Sequence, residues 1–135
     1  MSLNDKTIVV VEDNAVNYNL IVRLLTGLGI KHIKWITSGW QAAEKAADLA
    51  PVDLILLDIQ LPYADGYAVH KALRANPSLR DAKIVAVTVY ADEIHMQRAA
   101  SEGFDGFIGK PLLPSRFLDQ IRQIFDGEAV WTWQQ

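Results

Sequence analysis

Acidic residues stand directly after two of the most apolar stretches of this chain. Glu12 and Asp13 follow Thr7-Ile8-Val9-Val10-Val11, and Asp58 follows Leu54-Ile55-Leu56-Leu57. Thr88 closes a third apolar run over 84–87, and Lys110 follows Gly106-Phe107-Ile108-Gly109. Read as neighbouring parallel strands, these runs bring three carboxylates, a hydroxyl and an ammonium to one sheet edge. That is the edge at which open α/β sheets bind ligands. Close carboxylates repel one another, and each raises the cost of ionising the others. A hard divalent cation relieves the repulsion, and ligands that are all oxygen favour Mg²⁺ over zinc or copper. Such a site suits a phosphoryl group. Lys110 can pair with a phosphoryl oxygen, or with Asp58 when no phosphate is bound, and Thr88 can donate a hydrogen bond to the same group. A carboxylate beside a bound metal is also a nucleophile for phosphorus. The constellation predicts an aspartyl phosphate.

Taken singly, each residue has a plainer reading. Asp13 or Asn14 caps a helix, Asp58 is a turn residue, Lys110 is a solvated charge, and Thr88 merely ends a strand. Convergence on one edge is what favours chemistry.

The elements that must position these groups alternate along the chain. Strands are predicted over 7–11, 32–36, 53–57, 84–87 and 106–109. The first, third and fourth are continuously apolar, as strands buried on both faces are. Between them lie amphipathic segments. Val16, Leu20, Ile21, Leu24 and Leu28 share one predicted helix face. Thr37 and Ser38 offer caps to a helix carrying Trp40, Ala43, Ala47 and Ala50, which Pro51 stops. A loop with Pro62 and Gly66 precedes a helix with Val69, Ala72 and Leu73. Further helices are predicted over 92–101 and, from Pro114, through Phe117, Leu118, Ile121, Ile124 and Phe125. Five β–α units imply a doubly wound α/β fold, a parallel sheet with helices on both faces. The predicted domain covers 1–126, with a tail over 127–135 outside the pattern. In that tail Ala129, Trp131 and Trp133 alternate. They either fold back over the domain or dock on a partner or second copy.

Composition removes several alternatives. The 135 residues suit one domain, and half of them are hydrophobic, which argues against disorder. Thirteen Lys and Arg against sixteen Asp and Glu give −3, the wrong sign for a domain that neutralises nucleic-acid phosphates. Absence of cysteine removes thiol nucleophiles, disulfides and Cys-ligated metals, and fits a reducing, cytoplasmic setting. The first residues do not resemble a signal peptide, and no apolar run approaches a membrane span. His32, His70 and His95 lack metal-ligand spacing, and Trp35 and Trp40 are expected to pack in the core.

Five ordered motifs make the chain similar to a known family: Val11-Glu12-Asp13-Asn14, Leu57-Asp58-Ile59-Gln60-Leu61-Pro62, Asp65-Gly66, Val87-Thr88 and Gly109-Lys110-Pro111. Over 7–125 it resembles a CheY-like response-regulator receiver domain. The resemblance implies a flavodoxin-like five-stranded sheet in the order 2-1-3-4-5 with five helices. It implies Asp58 as phospho-acceptor. Glu12, Asp13 and Asp58 would be the Mg²⁺ carboxylates, with the Gln60 carbonyl as a further ligand. Thr88 and Lys110 would read the phosphoryl group, Phe107 would hold the aromatic switch position, and Lys110-Pro111 would be a cis peptide. Gln60 and Tyr90 occupy positions that tune dephosphorylation in the family, and here they lack a base and add bulk. Phe107 stands where many members have Tyr, and Val89 where Ala is frequent. The run from Glu12 to Asn17 resembles hybrid-kinase receivers and single-domain regulators, and a stand-alone receiver is expected.

The implied function is a single-domain response regulator. It would accept a phosphoryl group from a histidine kinase or phosphotransfer protein and switch partner binding through the fourth helix, fifth strand and fifth helix, a face that could also pair two copies. Beyond self-phosphorylation and slow autodephosphorylation, no enzymatic turnover is expected. A phosphatase working through an aspartyl phosphate would carry an acid two residues after the nucleophile, where Gln60 stands. An unphosphorylated interaction module would lack one of Asp58, Thr88 or Lys110, and all are present.

Overall fold

The structure is a computed structural model that describes residues 3–61, 64–89 and 91–132, with the backbone alone at 46 and 47. Pro62, Tyr90 and Trp133 lie outside the described residues. The chain runs β1 (Thr7–Val11), α1 (Ala15–Gly27), β2 (His32–Ile36), α2 (Gly39–Glu44), α3 (Ala46–Leu49) and β3 (Leu54–Leu57). A small antiparallel pair, β4 (Gln60–Leu61) and β5 (Ala64–Asp65), leads into α4 (Gly66–Arg74). After one 3₁₀ turn come β6 (Lys83–Thr88), α5 (Glu93–Ser101), β7 (Gly106–Gly109), α6 (Pro114–Phe125) and β8 (Val130–Thr132).

The main sheet is parallel, in the order β2-β1-β3-β6-β7-β8. Its first five strands are those expected from the sequence, in the expected order. Strand residues alternate between two cores, as the two-residue strand period requires. Val9, Val11, Ile55, Leu57, Ile84, Ala86 and Phe107 face one side, where Ala42, Leu49, Val69, Leu73 and Ala99 of α2 to α5 cover them. Ile8, Val10, Leu54, Leu56, Val85, Val87 and Ile108 face the other, under Ile21 and Leu25 of α1 and Phe117, Ile121 and Ile124 of α6. Burial on both faces explains why β1, β3 and β6 read as unbroken apolar runs.

Three local expectations differ from the structure. In α1 the buried residues are Ile21 and Leu25, whereas Val16 is 77% exposed and Leu20 is also at the surface. At about 100° per residue, Val16 lies roughly 140° round the helix from Ile21. The helix presents its Ile21 side to the sheet and leaves Val16 outside. The second helical segment is broken at Lys45 into α2 and α3, with Ser38 accepting from Gln41 N–H at its start. Trp35 and Trp40 are 38% and 43% exposed, so neither is a core residue. Trp35 sits on β2, an outer strand of the sheet, and Trp40 on the first turn of α2.

The described part of the tail follows the first of its two expected courses, folding back on the domain and joining the sheet. Val130, Trp131 and Thr132 pair with Gly106, Phe107 and Ile108. Gly106 permits this approach, because a Cβ there would come within 2.8 Å of the Val130 carbonyl oxygen. Val130 is buried, and Trp131 packs against the core that contains Phe107. Truncation after Asp126 is therefore expected to lower the melting temperature by about 5–10 °C, from the loss of one buried and one half-buried apolar side chain. An unchanged melting curve by circular dichroism would show that β8 adds nothing to stability.

Candidate functional site

Glu12, Asp58, Thr88 and Lys110 each stand one step beyond, or at the end of, a strand, and backbone pairing fixes their positions. Glu12 N–H donates to the Ile36 carbonyl at 3.1 Å, continuing the pairing of β1 with β2. Asp58 N–H donates to the Val11 carbonyl at 3.2 Å, and Lys110 N–H to the Thr88 carbonyl at 2.8 Å. Parallel register thus places Glu12 beside Asp58, with Thr88 one residue and Lys110 two residues further along at the same edge of the sheet. A carboxylate oxygen from each of Glu12, Asp13 and Asp58 lies within 4.8 Å of the other two. Glu12 and Asp58 are buried and Asp13 is exposed.

Lys110 closes the group. Its Nζ lies 2.6 Å from Glu12 Oε1 and 3.2 Å from Asp58 Oδ2. The remaining Asp58 oxygen, Oδ1, accepts from Gln60 N–H at 2.9 Å. Burial works against the Lys110 ammonium, yet Asp58 and Glu12 outweigh it and hold its pKa above the ordinary lysine value. For Asp58 the balance falls the other way. Burial pushes its carboxyl up to about 6, although Lys110 and the Gln60 N–H oppose the shift, and Glu12 adds repulsion. A buried, electron-rich carboxylate beside two further acids is arranged to take a cation and an electrophile.

The flanking loops are held by specific residues. Asn14 caps α1, accepting from Asn17 N–H at 3.0 Å, and Asp65 caps α4 through Tyr67 N–H at 3.0 Å. Gly66 has no substitute, since a Cβ there would lie 2.3 Å from Ile59 Cα. It lets α4 start directly against the strand that carries Asp58. Lys110-Pro111 is cis, as is Ala50-Pro51. Thr88 and Phe107 are fully buried, with Phe107 inside the core rather than at the surface.

Among the sequence-derived candidates, the structure brings together Glu12, Asp13, Asp58, Gln60, Thr88, Lys110 and Pro111. Phe107 lies below them, within the core. Tyr90, taken with Gln60 as tuning dephosphorylation, lies outside the described residues. His32 is exposed, His95 is half-buried beside Asp92, and His70 is buried against Phe104 at 4.0 Å. None of the three joins a metal-ligating group among the described residues. One contact was not foreseen. Trp35 Nε1–H donates to the Glu12 carbonyl at 2.7 Å, so β2, which contributes no chemical group of its own, reaches the site through an indole. Only its place one residue before the end of β2 hinted at this.

The raised Asp58 pKa has a consequence for stability. A carboxyl whose folded pKa lies above its unfolded value of about 4 makes the fold less stable as pH rises through that window. Asp58→Asn mimics the protonated form. In metal-free buffer the variant is expected to be more stable than the parent by about 2–3 kcal/mol above pH 7, with the gain vanishing toward pH 4. Denaturant unfolding at several pH values tests this, and a gain that does not depend on pH would refute it.

Comparison with known proteins agrees with this geometry. The family model described as response regulator receiver domain matches residues 8–122. The polar-differentiation response regulator DivK of Brucella ovis is 36% identical over 124 residues, spanning 92% of this chain and 98% of that protein. DivK of Brucella anthropi is 35% identical over the same length. Among solved structures, the receiver domain of the sensor histidine kinase PA1611 of Pseudomonas aeruginosa, with magnesium in its active-site cleft, has a TM-score of 0.77 at 31% identity. That match covers 91% of this chain and 98% of that one. The CheX–CheY complex of Borrelia burgdorferi, at 21% identity and a TM-score of 0.81 over 89% of each chain, shares the fold. An acid trio closed by a lysine at the carboxyl edge of the β2-β1-β3-β6-β7-β8 sheet, and a family match over residues 8–122, place this chain in the response regulator receiver domain family.

Proposed function

We propose that the chain works as a single-domain response regulator, accepting a phosphoryl group on Asp58 from a histidine kinase or phosphotransfer protein. The observation that carries this reading is the Glu12–Asp13–Asp58 trio, with Lys110 bridging its two buried members. The DivK relatives, spanned over 98% of their length, are themselves named response regulators.

The donor set fits Mg²⁺, being all oxygen and exposed on the Asp13 side. Glu12, Asp13 and Asp58 would hold the ion, with the Gln60 carbonyl as a further ligand. When bound, Mg²⁺ neutralises phosphoryl oxygens and orients the group for in-line attack. The chain's own residues do the rest. A carboxylate oxygen of Asp58 attacks phosphorus, and the bond from phosphorus to the donor nitrogen breaks. Gln60 N–H retains Oδ1. Lys110 then moves its charge from the Asp58 carboxylate to a phosphoryl oxygen, which keeps an ion pair throughout. Thr88 supplies a hydroxyl to the same group. Its movement alters the packing over Phe107, and the resulting shift in the surface of α5, β7 and α6 is the signal. Because β8 covers the outer edge of β7, the output partner reads the helices rather than a free strand edge. Gln60, being neutral, does not supply a base for hydrolysis, so turnover stays slow and incidental. Donor and regulator meet in the cytoplasm.

Exposed apolar residues lie on the elements that flank the site: Val16 and Leu20 on α1, Val89 after β6, and Leu113 before α6. A cleft of about 250 Å³ between α1 and the loop after β7 is lined by Leu20, Val89, Pro111 and Leu112. A donor protein docking here delivers its phosphohistidine directly over Asp58. This accounts for an α1 face that is apolar yet outside the core.

Incubation with acetyl phosphate and Mg²⁺, followed by intact mass, is expected to add one phosphate to the parent and none to Asp58→Asn. A stable phosphate on the variant would overturn the assignment of Asp58. Sustained release of phosphate at enzymatic rates would instead favour a phosphatase. Val16→Asp is expected to slow transfer from a phosphorylated kinase by about tenfold or more while leaving acetyl phosphate labelling unchanged. Equal slowing with both donors would place Val16 in the chemistry rather than in docking.

A further inference from the structure

Glu12 and Asp58 are locked by Lys110, and Asp58 by Gln60 as well. Asp13 is different. Its side chain is exposed and makes no hydrogen bond or ion pair among the described residues. Its backbone therefore sets the region that its carboxylate can reach. That backbone leaves the sheet at Glu12 and enters α1 at Ala15, with two residues between.

Asn14 ties the end of this short segment to α1, accepting from Asn17 N–H and Tyr18 N–H, and two contacts from β2 orient its start. Glu12 N–H donates to the Ile36 carbonyl, which ends the regular ladder. Trp35 Nε1–H donates to the Glu12 carbonyl at 2.7 Å. The Glu12 carbonyl and the Asp13 N–H belong to one planar peptide unit, so fixing the first fixes the second. The indole is itself held from the other side. Tyr18, on the first turn of α1, stacks on it with ring centroids 4.2 Å apart and planes 6° from parallel. A half-exposed tryptophan on an outer strand thus joins the loop carbonyl to the helix that follows the loop.

We propose that Trp35, clamped by Tyr18, is a positioning residue for the cation site, setting the Glu12–Asp13 peptide so that the otherwise unrestrained Asp13 carboxylate is aimed at Asp58. The inference rests on the receiver reading above and names a residue outside its acid, hydroxyl and lysine machinery. Trp35 touches neither cation nor phosphoryl group. It lowers the cost of ordering Asp13, which a metal must otherwise meet on binding. The competing account is that the Tyr18–Trp35 pair only covers the outer side of β2.

Trp35→Phe separates the two, since it keeps a ring over Tyr18 and removes the N–H donor. Isothermal titration of the full chain with MgCl₂ is expected to show the dissociation constant rising about three- to tenfold, the worth of one hydrogen bond. The metal-free melting temperature should move by no more than about 2 °C. Tyr18→Phe, which keeps the stack, should titrate as the parent does. In the parent, the Trp35 Hε1 proton resonance should shift along the same binding isotherm as the calorimetry. Unchanged affinity in Trp35→Phe would overturn the inference and leave the receiver reading intact. If Trp35→Phe melts early, the Hε1 resonance decides: a shift that saturates with Mg²⁺ supports positioning, and an unmoved one refutes it. A parent that binds no Mg²⁺ would remove the metal-dependent receiver reading and this inference with it.

Discussion

Lys110 reaching across to Glu12 and Asp58 is the contact on which the site depends. Two buried carboxylates with a third nearby would otherwise repel and draw in water or protons. The ammonium offsets part of that repulsion and satisfies one oxygen of each buried acid. It does not cancel it. Three acids against one ammonium leave the group negative, and burial still pushes the Asp58 carboxyl up to about 6. The site is therefore poised rather than satisfied. A structural ion pair would be neutral and complete, whereas this one retains charge and an open, exposed acid facing solvent.

Parallel register makes such a concentration of charge possible. Antiparallel neighbours would send alternate strand ends to opposite edges. Here β1, β3, β6 and β7 all end at the same edge, β6 and β7 reaching two residues further than β1 and β3, and backbone bonds just beyond the ladder hold Glu12, Asp58 and Lys110 there. The cores on both faces hold that register. Slipping a strand by one residue would move its Val, Ile and Leu side chains to the wrong layer. The packing that stabilises the sheet is thus also what keeps the charges together. Gly66 belongs to the same logic, because α4 begins in close contact with the Ile59 backbone, next in the chain to Asp58.

The outer side of β7 shows how a small addition changes the outlook of the fold. With β8 in place, β7 is a central strand, and its edge is not available for pairing. Gly106 and the short stretch after α6 make this possible. Trp131 lies against the same core as Phe107, so β8 and Phe107 share one packed layer. Trp35 and Tyr18 do similar service at the opposite end of the sheet, where an aromatic pair ties the acid loop to β2 and α1.

Much of this was legible in the chain. Continuous apolar runs announce strands buried on both faces, and the polar residue that follows each run names the group at the sheet edge. Those signals are local, so Glu12, Asp13, Asp58, Thr88 and Lys110 could be read before their geometry was known. What the sequence could not decide is orientation and long-range contact. Val16 and Leu20 have the spacing of a buried stripe, but only packing against the sheet selected the Ile21 and Leu25 side of α1. Trp35 looked like a core residue, because hydrophobicity says nothing of a single N–H meeting a carbonyl 23 positions away. Val130–Thr132 carried too short a pattern to announce a strand, and it became one because Gly106 leaves room for its backbone beside β7. The sequence by itself determined which residues could do the chemistry, because type and strand position are written locally. The tertiary structure alone decided which of them are aimed, since aim depends on contacts between segments far apart in the chain.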